Sequence, residues 1–272
     1  MSYIIVCVKQ VPDTSEVALD PVTKTIIRTG KNNIVNPYDM YALEAAARIK
    51  DAEPETGIAV LSMGPPQAED ALRSCMAVAA DSAWLVSDPC FAGSDTYATS
   101  YILSCAVRKI EESRGPCLAV FCGKQAVDGD TAQIGPALAE RLGLPQVTSV
   151  LEAKRSEDGF EVLQEDKADR RLYFVQAPCL LTFTKPSFEP RQASLRRRMA
   201  SRHSSVEILD INSLPETDRA KVGIGGSPTC VLKTFAPEYR GSCELICSEP
   251  AAAAKTFAER LRERNLTDGG MK

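Results

Sequence analysis

Short, almost wholly apolar runs recur over residues 3–150, and helix-length amphipathic stretches separate them. The runs cover residues 3–9, 58–63, 83–86, 117–123 and 146–150. Strands that are covered on both faces read as continuous apolar runs, and strands that alternate with helices build parallel sheets through βαβ units. The sequence therefore predicts a doubly wound α/β fold with a mostly parallel sheet.

Three stretches between these runs have the spacing of helices. Residues 37–50 follow Asn36, a residue type that often caps helices, and begin with Pro37, since proline is favoured at the first helical position. Residues 67–80 and 95–112 have the same amphipathic spacing. Hairpin-like charged runs at 159–164 and 171–176 precede one more apolar strand at 178–184. We expect the α/β domain to span residues 1–184.

The segment 185–205 is basic, although the chain as a whole has a net charge of −4. Residues 185–203 contain six lysines and arginines and one acid, together with Pro186 and Pro190. Prolines disfavour both a helix and a central strand, so an exposed loop is predicted here. Residues 206–272 form the third segment, a C-terminal arm with a final amphipathic helix at 250–264. The arm has little core of its own and is expected to pack on a partner chain.

Composition argues against several classes of function. The ten cysteines are scattered through apolar runs, no Cys-x-x-Cys occurs, and His203 is the single histidine, so neither a metal nor an iron–sulfur site is expected. His203 has no carboxylate fixed beside it in sequence, and no catalytic residue is predicted. The acidic balance argues against a nucleic-acid partner. The apolar run at 3–8 is too short for a membrane span or a signal peptide, so we expect a cytoplasmic protein.

The segment with the most chemical information follows the apolar run at 117–123. It reads Gly123-Lys124-Gln125-Ala126-Val127-Asp128-Gly129-Asp130-Thr131-Ala132-Gln133-Ile134 and leads into a helix that ends at Leu142. A strand, a glycine-containing loop and a helix start can together bind a phosphate through free N–H groups. Asp128 and Asp130 would repel an anion unless they cap the helix or meet a ribose hydroxyl. A capped helix without a ligand fits the pattern equally well. The glycine-rich run at 223–226 is interpreted as a linker.

Four segments together resemble the β subunit of electron-transfer flavoproteins. They are residues 6–13, 36–39, 62–65 and 123–136, whose order and spacing agree over nearly the whole chain. The run from Gln125 to Gln133 is distinctive for that family. The resemblance implies a heterodimer with a larger α subunit, which carries a redox-active FAD, while the β subunit holds a second nucleotide.

The nature of that second nucleotide divides the family. In its housekeeping members the nucleotide is AMP. In its electron-bifurcating members it is FAD, and the loop of this sequence resembles theirs. The resemblance then implies NADH as electron donor, with one electron passing through the α-subunit FAD to a dehydrogenase and the other to ferredoxin or flavodoxin. An AMP-type β subunit is the first alternative. A universal-stress-type nucleotide-binding module is the second, although it would not explain the arm beyond residue 205.

Site residues follow from the resemblance position by position. The cofactor-binding positions are Cys7, Asn36, Pro37, Tyr38, Asp39, Met63, Gly123, Lys124, Gln125, Ala126, Val127, Asp128, Gly129, Asp130, Thr131, Ala132, Gln133 and Ile134. Many of them would act through backbone atoms, and Cys7 and Met63 also suit plain strand packing. Asp95 and Thr96 are expected to face the flavin or a nicotinamide nucleotide. The basic loop corresponds to a recognition loop for the dehydrogenase, with Leu195 as apolar anchor and Arg196, Arg197 and Arg198 as a charged rim.

Overall fold

The computed structural model describes residues 2–13, 33–166, 169–230 and 245–264. The chain divides into two compact units, Met1–Cys230 and Val231–Lys272. The first unit contains the sheet and the helices packed on it. The described part of the second unit contains one helix, α6 (Pro250–Glu263), which leaves Phe257 exposed.

The first unit is built on a nine-stranded sheet. Its strands in chain order are β1 (Tyr3–Cys7), β4 (Gly57–Met63), β5 (Ser82–Val86), β6 (Ala119–Gly123), β7 (Gln146–Ser156), β8 (Gly159–Asp166), β9 (Asp169–Gln176), β10 (Cys179–Phe183) and β11 (Glu207–Leu209). They are arranged in the order β11-β5-β4-β1-β6-β10-β7-β8-β9. Pairing is parallel from β11 to β7 and antiparallel from β7 to β9. The predicted α/β fold with a mostly parallel sheet is confirmed. A separate antiparallel pair joins β2 (Gln10–Pro12) to β3 (Asn33–Val35).

Helices cover both faces of the central parallel strands. They are α1 (Pro37–Ala52), α2 (Glu69–Val78), α3 (Thr96–Arg114), α4 (Ile134–Leu142) and α5 (Leu195–Ser201). Successive strand residues point to opposite faces, so Val6 and Phe121 pack in one core with α1 and α2, while Ile5 and Val120 pack in the other with α3 and α4. Both faces are therefore buried, which explains the continuous apolar runs.

Two expectations differ from the structure beyond residue 184. Strand β11 pairs in parallel with β5, so the compact unit extends past the expected boundary through Cys230. The predicted loop contains helix α5, because both prolines lie before it and Ser194 accepts a hydrogen bond from the Arg197 N–H as its N-cap.

The expected linker at 223–226 is also packed rather than free. The hydroxyl of Ser227 accepts from the Asp95 N–H at 2.9 Å, and the carboxylate of Asp95 accepts from the Thr229 N–H at 3.0 Å. These bonds fasten the segment to the start of α3. In the part of the chain described, no helix has the length and apolar character that a membrane span requires.

Candidate functional site

The carboxyl ends of β1 and β6 lie side by side and define one edge of the sheet. Cys7 and Cys122 are register partners there. The chain leaves β6 through residues 124–133 and enters α4, while the start of α1 lies beside the same edge. In open parallel sheets, ligands bind beyond the carboxyl ends of the strands. The structure thus places the loop singled out in the sequence at the edge where a ligand is expected.

The Asn36 side chain holds this loop through hydrogen bonds to its backbone. Its side chain is 1% exposed, its amide Nδ2 donates to the carbonyl of Gln125 at 2.8 Å, and its Oδ1 accepts from the Val127 N–H at 3.1 Å. The amide thereby pairs with the loop backbone as a neighbouring strand would. The sequence suggested that Asn36 caps α1, but its side chain makes no capping hydrogen bond. It positions the loop instead.

Asp39 ties the start of α1 to the ends of both strands. Its carboxylate accepts from the Lys9 N–H at 2.7 Å and from the Gly123 N–H at 3.1 Å. Burial raises the pKa of Asp39 to about 7, against the lowering effect of these hydrogen bonds. A Cβ at Gly123 would lie 2.3 Å from Asp39 Oδ1, so only glycine allows this close approach.

Both carboxylates of the loop have partners. Lys9 Nζ donates to both oxygens of Asp128 at 2.8 Å. Gln125 Nε2 donates to Asp130 at 2.6 Å. Neither aspartate caps α4, whose N-cap residue is Gln133, so the capping role that the sequence allowed for Asp128 and Asp130 is not found. Lys9 was missed as a site residue, because the charge pair joins positions 119 residues apart.

The loop ends in a turn that presents free N–H groups. Asp130 and Ala132 are non-glycine residues with φ of 49° and 52°, and Gln133 returns to the right-handed region. A left-handed residue followed by a right-handed one, as at Ala132 and Gln133, forms a nest, in which successive N–H groups converge on an anion. The N–H groups of Thr131, Ala132 and Gln133 form no hydrogen bond within the described residues. A left-handed conformation at a non-glycine residue destabilises the fold by about 1 to 3 kcal/mol, and such strained residues cluster at functional sites.

Gly129 lies between the two aspartates without adopting a positive φ. A Cβ there would meet no atom within 4 Å, so its surroundings are open. All six residues from Asp128 to Gln133 are exposed. The unusual backbone thus belongs to Asp130 and Ala132, whose residue types gave no sign of it in the sequence.

The other predicted cofactor positions surround this edge at different depths. Pro37 is exposed and Tyr38 half-buried on the first turn of α1, whereas Lys124, Ala126, Val127 and Ile134 are half-buried in or beside the loop. Met63 ends β4 and packs partly buried against the α3 and α4 core. Cys7 is 8% exposed, and its hydrogen bond with the Cys122 thiol, together with burial, raises the pKa of Cys122.

Asp95 and Thr96, at the start of α3, have different hydrogen-bond partners. Thr96 Oγ1 donates to Gln133 Oε1 at 2.8 Å, so Thr96 lies at the end of the loop. The carboxylate of Asp95 caps α3 through the Ala98 N–H at 3.0 Å and also accepts from Thr229. It is therefore engaged within the chain.

Comparison with known proteins identifies this arrangement. Residues 23–214 match the model of the electron transfer flavoprotein domain. The chain belongs to the electron transfer flavoprotein family. It is 46% identical to the electron transfer flavoprotein subunit beta of Megasphaera elsdenii, over 87% of this chain and 88% of that protein.

Further relatives extend the match along the chain. Protein FixA of Azorhizobium caulinodans is 42% identical, over 94% of this chain and 93% of its own length. The caffeyl-CoA reductase–Etf complex subunit CarD of Acetobacterium woodii is 40% identical, over 97% and 99%. The resemblance seen in the sequence is confirmed, the chain is a β subunit of this family, and the universal-stress alternative is rejected.

The predicted recognition segment of the β subunit is a fixed helix. Leu195 and Met199, one turn apart on α5, are 75% and 61% exposed. Arg197 donates to the carbonyls of Met76 at 3.0 Å and Ala80 at 3.3 Å. Arg197 is thus engaged within the β subunit, unlike the role expected of it. Arg196 and Arg198 remain exposed beside the apolar pair.

The segment before α5 is anchored to α1. Arg191 forms ion pairs with Glu44 and with Asp51, each at 2.7 Å. Although burial opposes it, hydrogen bonding to Arg191 holds the pKa of Glu44 below its usual range. Arg48 stacks over the Phe188 ring, 3.6 Å from its centroid. These contacts hold the polypeptide that leads from β10 to α5.

Proposed function

We propose that this β subunit binds FAD at the 124–134 loop and works with an α subunit as an electron-bifurcating electron transfer flavoprotein. The observation that carries the proposal is the set of N–H groups at Thr131, Ala132 and Gln133, directly before α4, which find no hydrogen-bond acceptor among the described residues. Such groups at a helix N-terminus suit the diphosphate of a dinucleotide. When bound, FAD would supply hydride acceptance from NADH and passage of electrons to two acceptors.

Electrostatics at the loop favour an anion. Lys9 compensates the charge of Asp128, and Gln125 holds the carboxylate of Asp130 through a hydrogen bond. The positive end of the α4 dipole adds a favourable field. Thr96 fixes the Gln133 side chain and so helps to define the end of the nest.

Space around the loop supports FAD over AMP. The residues from Asp128 to Gln133 are exposed, Gly129 has no side chain, and Ala132 has a small one. A second aromatic half can therefore extend past the diphosphate without meeting side chains at these two positions. The sequence pattern of this loop also resembles that of the two-FAD members of the family.

The partners are proposed from the surfaces of the chain and from its family. Two of the relatives are named as subunits, which supports function within an assembly. The α subunit would bind residues 206–272 of this chain. A flavin-dependent dehydrogenase would dock on Leu195, with Arg196 and Arg198 attracting an acidic rim. Ferredoxin or flavodoxin would be the second acceptor, and the cytoplasm the place of action.

The test is nucleotide analysis of the heterodimer purified after co-expression with its α subunit. Denaturation should release two FAD for each αβ pair and no AMP, as resolved by chromatography. One FAD and one AMP would overturn the bifurcating assignment, and one FAD with no second nucleotide would overturn the site itself.

A variant at Gly129 tests whether the second FAD binds at this loop. Gly129→Asp should remove the β-subunit flavin, because the added charge stands beside the diphosphate, and the ratio should fall from two FAD to one. Gly129→Asn is the matched control of nearly equal size, and it should retain more FAD than Gly129→Asp. Equal retention by both variants would show that charge at this position does not matter.

A further inference from the structure

Lys9 joins three parts of the candidate site at once. Its backbone N–H donates to Asp39 Oδ2 at 2.7 Å, and its carbonyl accepts from the Asn36 N–H at 2.9 Å. Its Nζ donates to both oxygens of Asp128 at 2.8 Å. The main chain of Lys9 is thus fixed to the start of α1, while its side chain reaches across to the loop after β6.

The ion pair with Lys9 compensates the negative charge of Asp128, which lies close to the proposed diphosphate site. Asp128 stands next to Gly129, three residues before Thr131, whose N–H group has no acceptor among the described residues. A free carboxylate at that place would act against a dinucleotide diphosphate. The other aspartate, Asp130, accepts from the neutral amide of Gln125, so among the described residues Lys9 is the cation that pairs with a carboxylate of this loop.

The geometry of the pair suits a positioning role. The Asp128 side chain is 31% exposed and that of Lys9 is 49% exposed, so solvent reaches both groups. Because Asp39 and Asn36 hold the Lys9 backbone, the ammonium has a fixed origin from which to hold Asp128. A lysine on a mobile loop would have to lose more conformational freedom to do the same.

We propose that Lys9 is a positioning residue of the nucleotide site, which neutralises Asp128 and holds its carboxylate so that a dinucleotide diphosphate meets less opposing charge. This rests on the nucleotide site of the proposed function and adds a residue that acts through Asp128. This role predicts two changes in FAD binding. Removal of Lys9 should weaken FAD binding, and removal of the Asp128 charge should reverse that loss.

A double-mutant cycle in the heterodimer tests both changes. FAD retained per αβ pair is measured by equilibrium dialysis against a series of FAD concentrations, with the α-subunit flavin as internal reference. We expect Lys9→Met to weaken binding at the β site about tenfold, a usual size for coupled neighbours. Asp128→Asn alone should change it little, and the double variant should return close to the unmodified protein.

Two further variants separate charge from shape. Lys9→Arg should restore most of the binding, because it keeps the positive charge. Lys50→Met removes a lysine from another surface ion pair, with Asp81, and should leave FAD binding unchanged. The loss in Lys9→Met should shrink at high salt, because screening weakens the exposed Asp128 charge.

The outcomes also separate this proposal from the nucleotide site. A double variant that binds FAD as weakly as Lys9→Met would mean that Lys9 contacts the ligand directly, which overturns the role through Asp128. Unchanged binding in Lys9→Met would overturn it as well. If the unmodified heterodimer releases only the α-subunit FAD and no other nucleotide, the site itself fails, and the cycle is not needed to show it.

Discussion

Arg73 of α2 and Arg197 of α5 each donate to the carbonyls at the C-terminal end of the other helix. Arg73 donates to the carbonyls of Ser201 at 2.9 Å and Ser204 at 2.7 Å, and Arg197 donates to that of Met76 at 3.0 Å. Cations at helix C-termini satisfy free carbonyls and complement the dipole. Helix α5 has seven residues, and a helix of this length does not persist alone in water. The reciprocal hydrogen bonds of Arg73 and Arg197 therefore hold the helix that carries Leu195 against α2.

The first prediction compares two neighbouring arginines of α5. Arg197→Ala should increase amide hydrogen exchange in residues 195–201, because it removes the bonds to α2. Arg196→Ala should leave that exchange unchanged, since the Arg196 side chain forms no hydrogen bond or ion pair with the described residues. Exchange measured by mass spectrometry on the heterodimer checks both, and equal protection in the two variants would contradict the anchoring role of Arg197.

The second prediction concerns docking. Leu195→Ala should slow electron transfer to the dehydrogenase about tenfold or more, because an exposed apolar anchor contributes a large share of binding energy. Met199→Ala should have a smaller effect in the same direction. Flavin content and NADH oxidation with an artificial acceptor should remain as in the unmodified protein. Loss of flavin in Leu195→Ala would show that the docking assignment is wrong.

Much of the fold was predictable because local patterns determine it. All five apolar runs became strands and four of them are largely buried, and Asn36 with Pro37 stands at the start of α1 as expected. The C-terminal limit of the compact unit was not predictable, because β11 has three residues and is defined by pairing with β5. Helix α5 likewise depends on Arg73, which is 128 residues distant from Ser201.

The candidate site was predictable in place but not in detail. The order of strand, loop and helix located the loop, and the family resemblance selected its residues. The positive φ of Asp130 and Ala132 could not be predicted, because glycine is the residue that usually marks such backbone. The role of Asn36 as a clamp on Gln125 and Val127 joins residues about 90 positions apart, which no local pattern reveals.

The third prediction uses two glycines of the same loop. Gly123→Ala should destabilise the heterodimer and loosen the nucleotide, because its Cβ would lie 2.3 Å from Asp39 Oδ1 and 2.8 Å from the Asp39 backbone nitrogen. Gly129→Ala should leave stability unchanged, since its Cβ would meet no atom. Thermal unfolding and FAD content measured on both variants check this. Equal stability of the two would contradict the close contact at Gly123.

The fourth prediction is a pH dependence that arises from Asp39. Burial raises the pKa of Asp39 from its ordinary value of 3.8 to about 7 in the folded chain, so between these limits the folded state binds a proton that the unfolded state releases. The contribution of Asp39 to stability is therefore fully present below pH 3.8 and is lost as pH rises through 7. Its total size is of order 4 kcal/mol, at about 1.4 kcal/mol per pKa unit.

Asp39→Asn removes this titration, so the difference in free energy of unfolding between unmodified protein and variant isolates it. That difference should move against the unmodified protein as pH rises from 5 to 8, as measured by urea unfolding of the heterodimer. Asp51→Asn is the control: hydrogen bonding to Arg191 lowers the pKa of Asp51 below 3.8, so its difference should be flat over that range. A flat difference for Asp39→Asn would show that Asp39 is already ionised at pH 5, and that its hydrogen bonds from the Lys9 and Gly123 backbone outweigh the cost of burial.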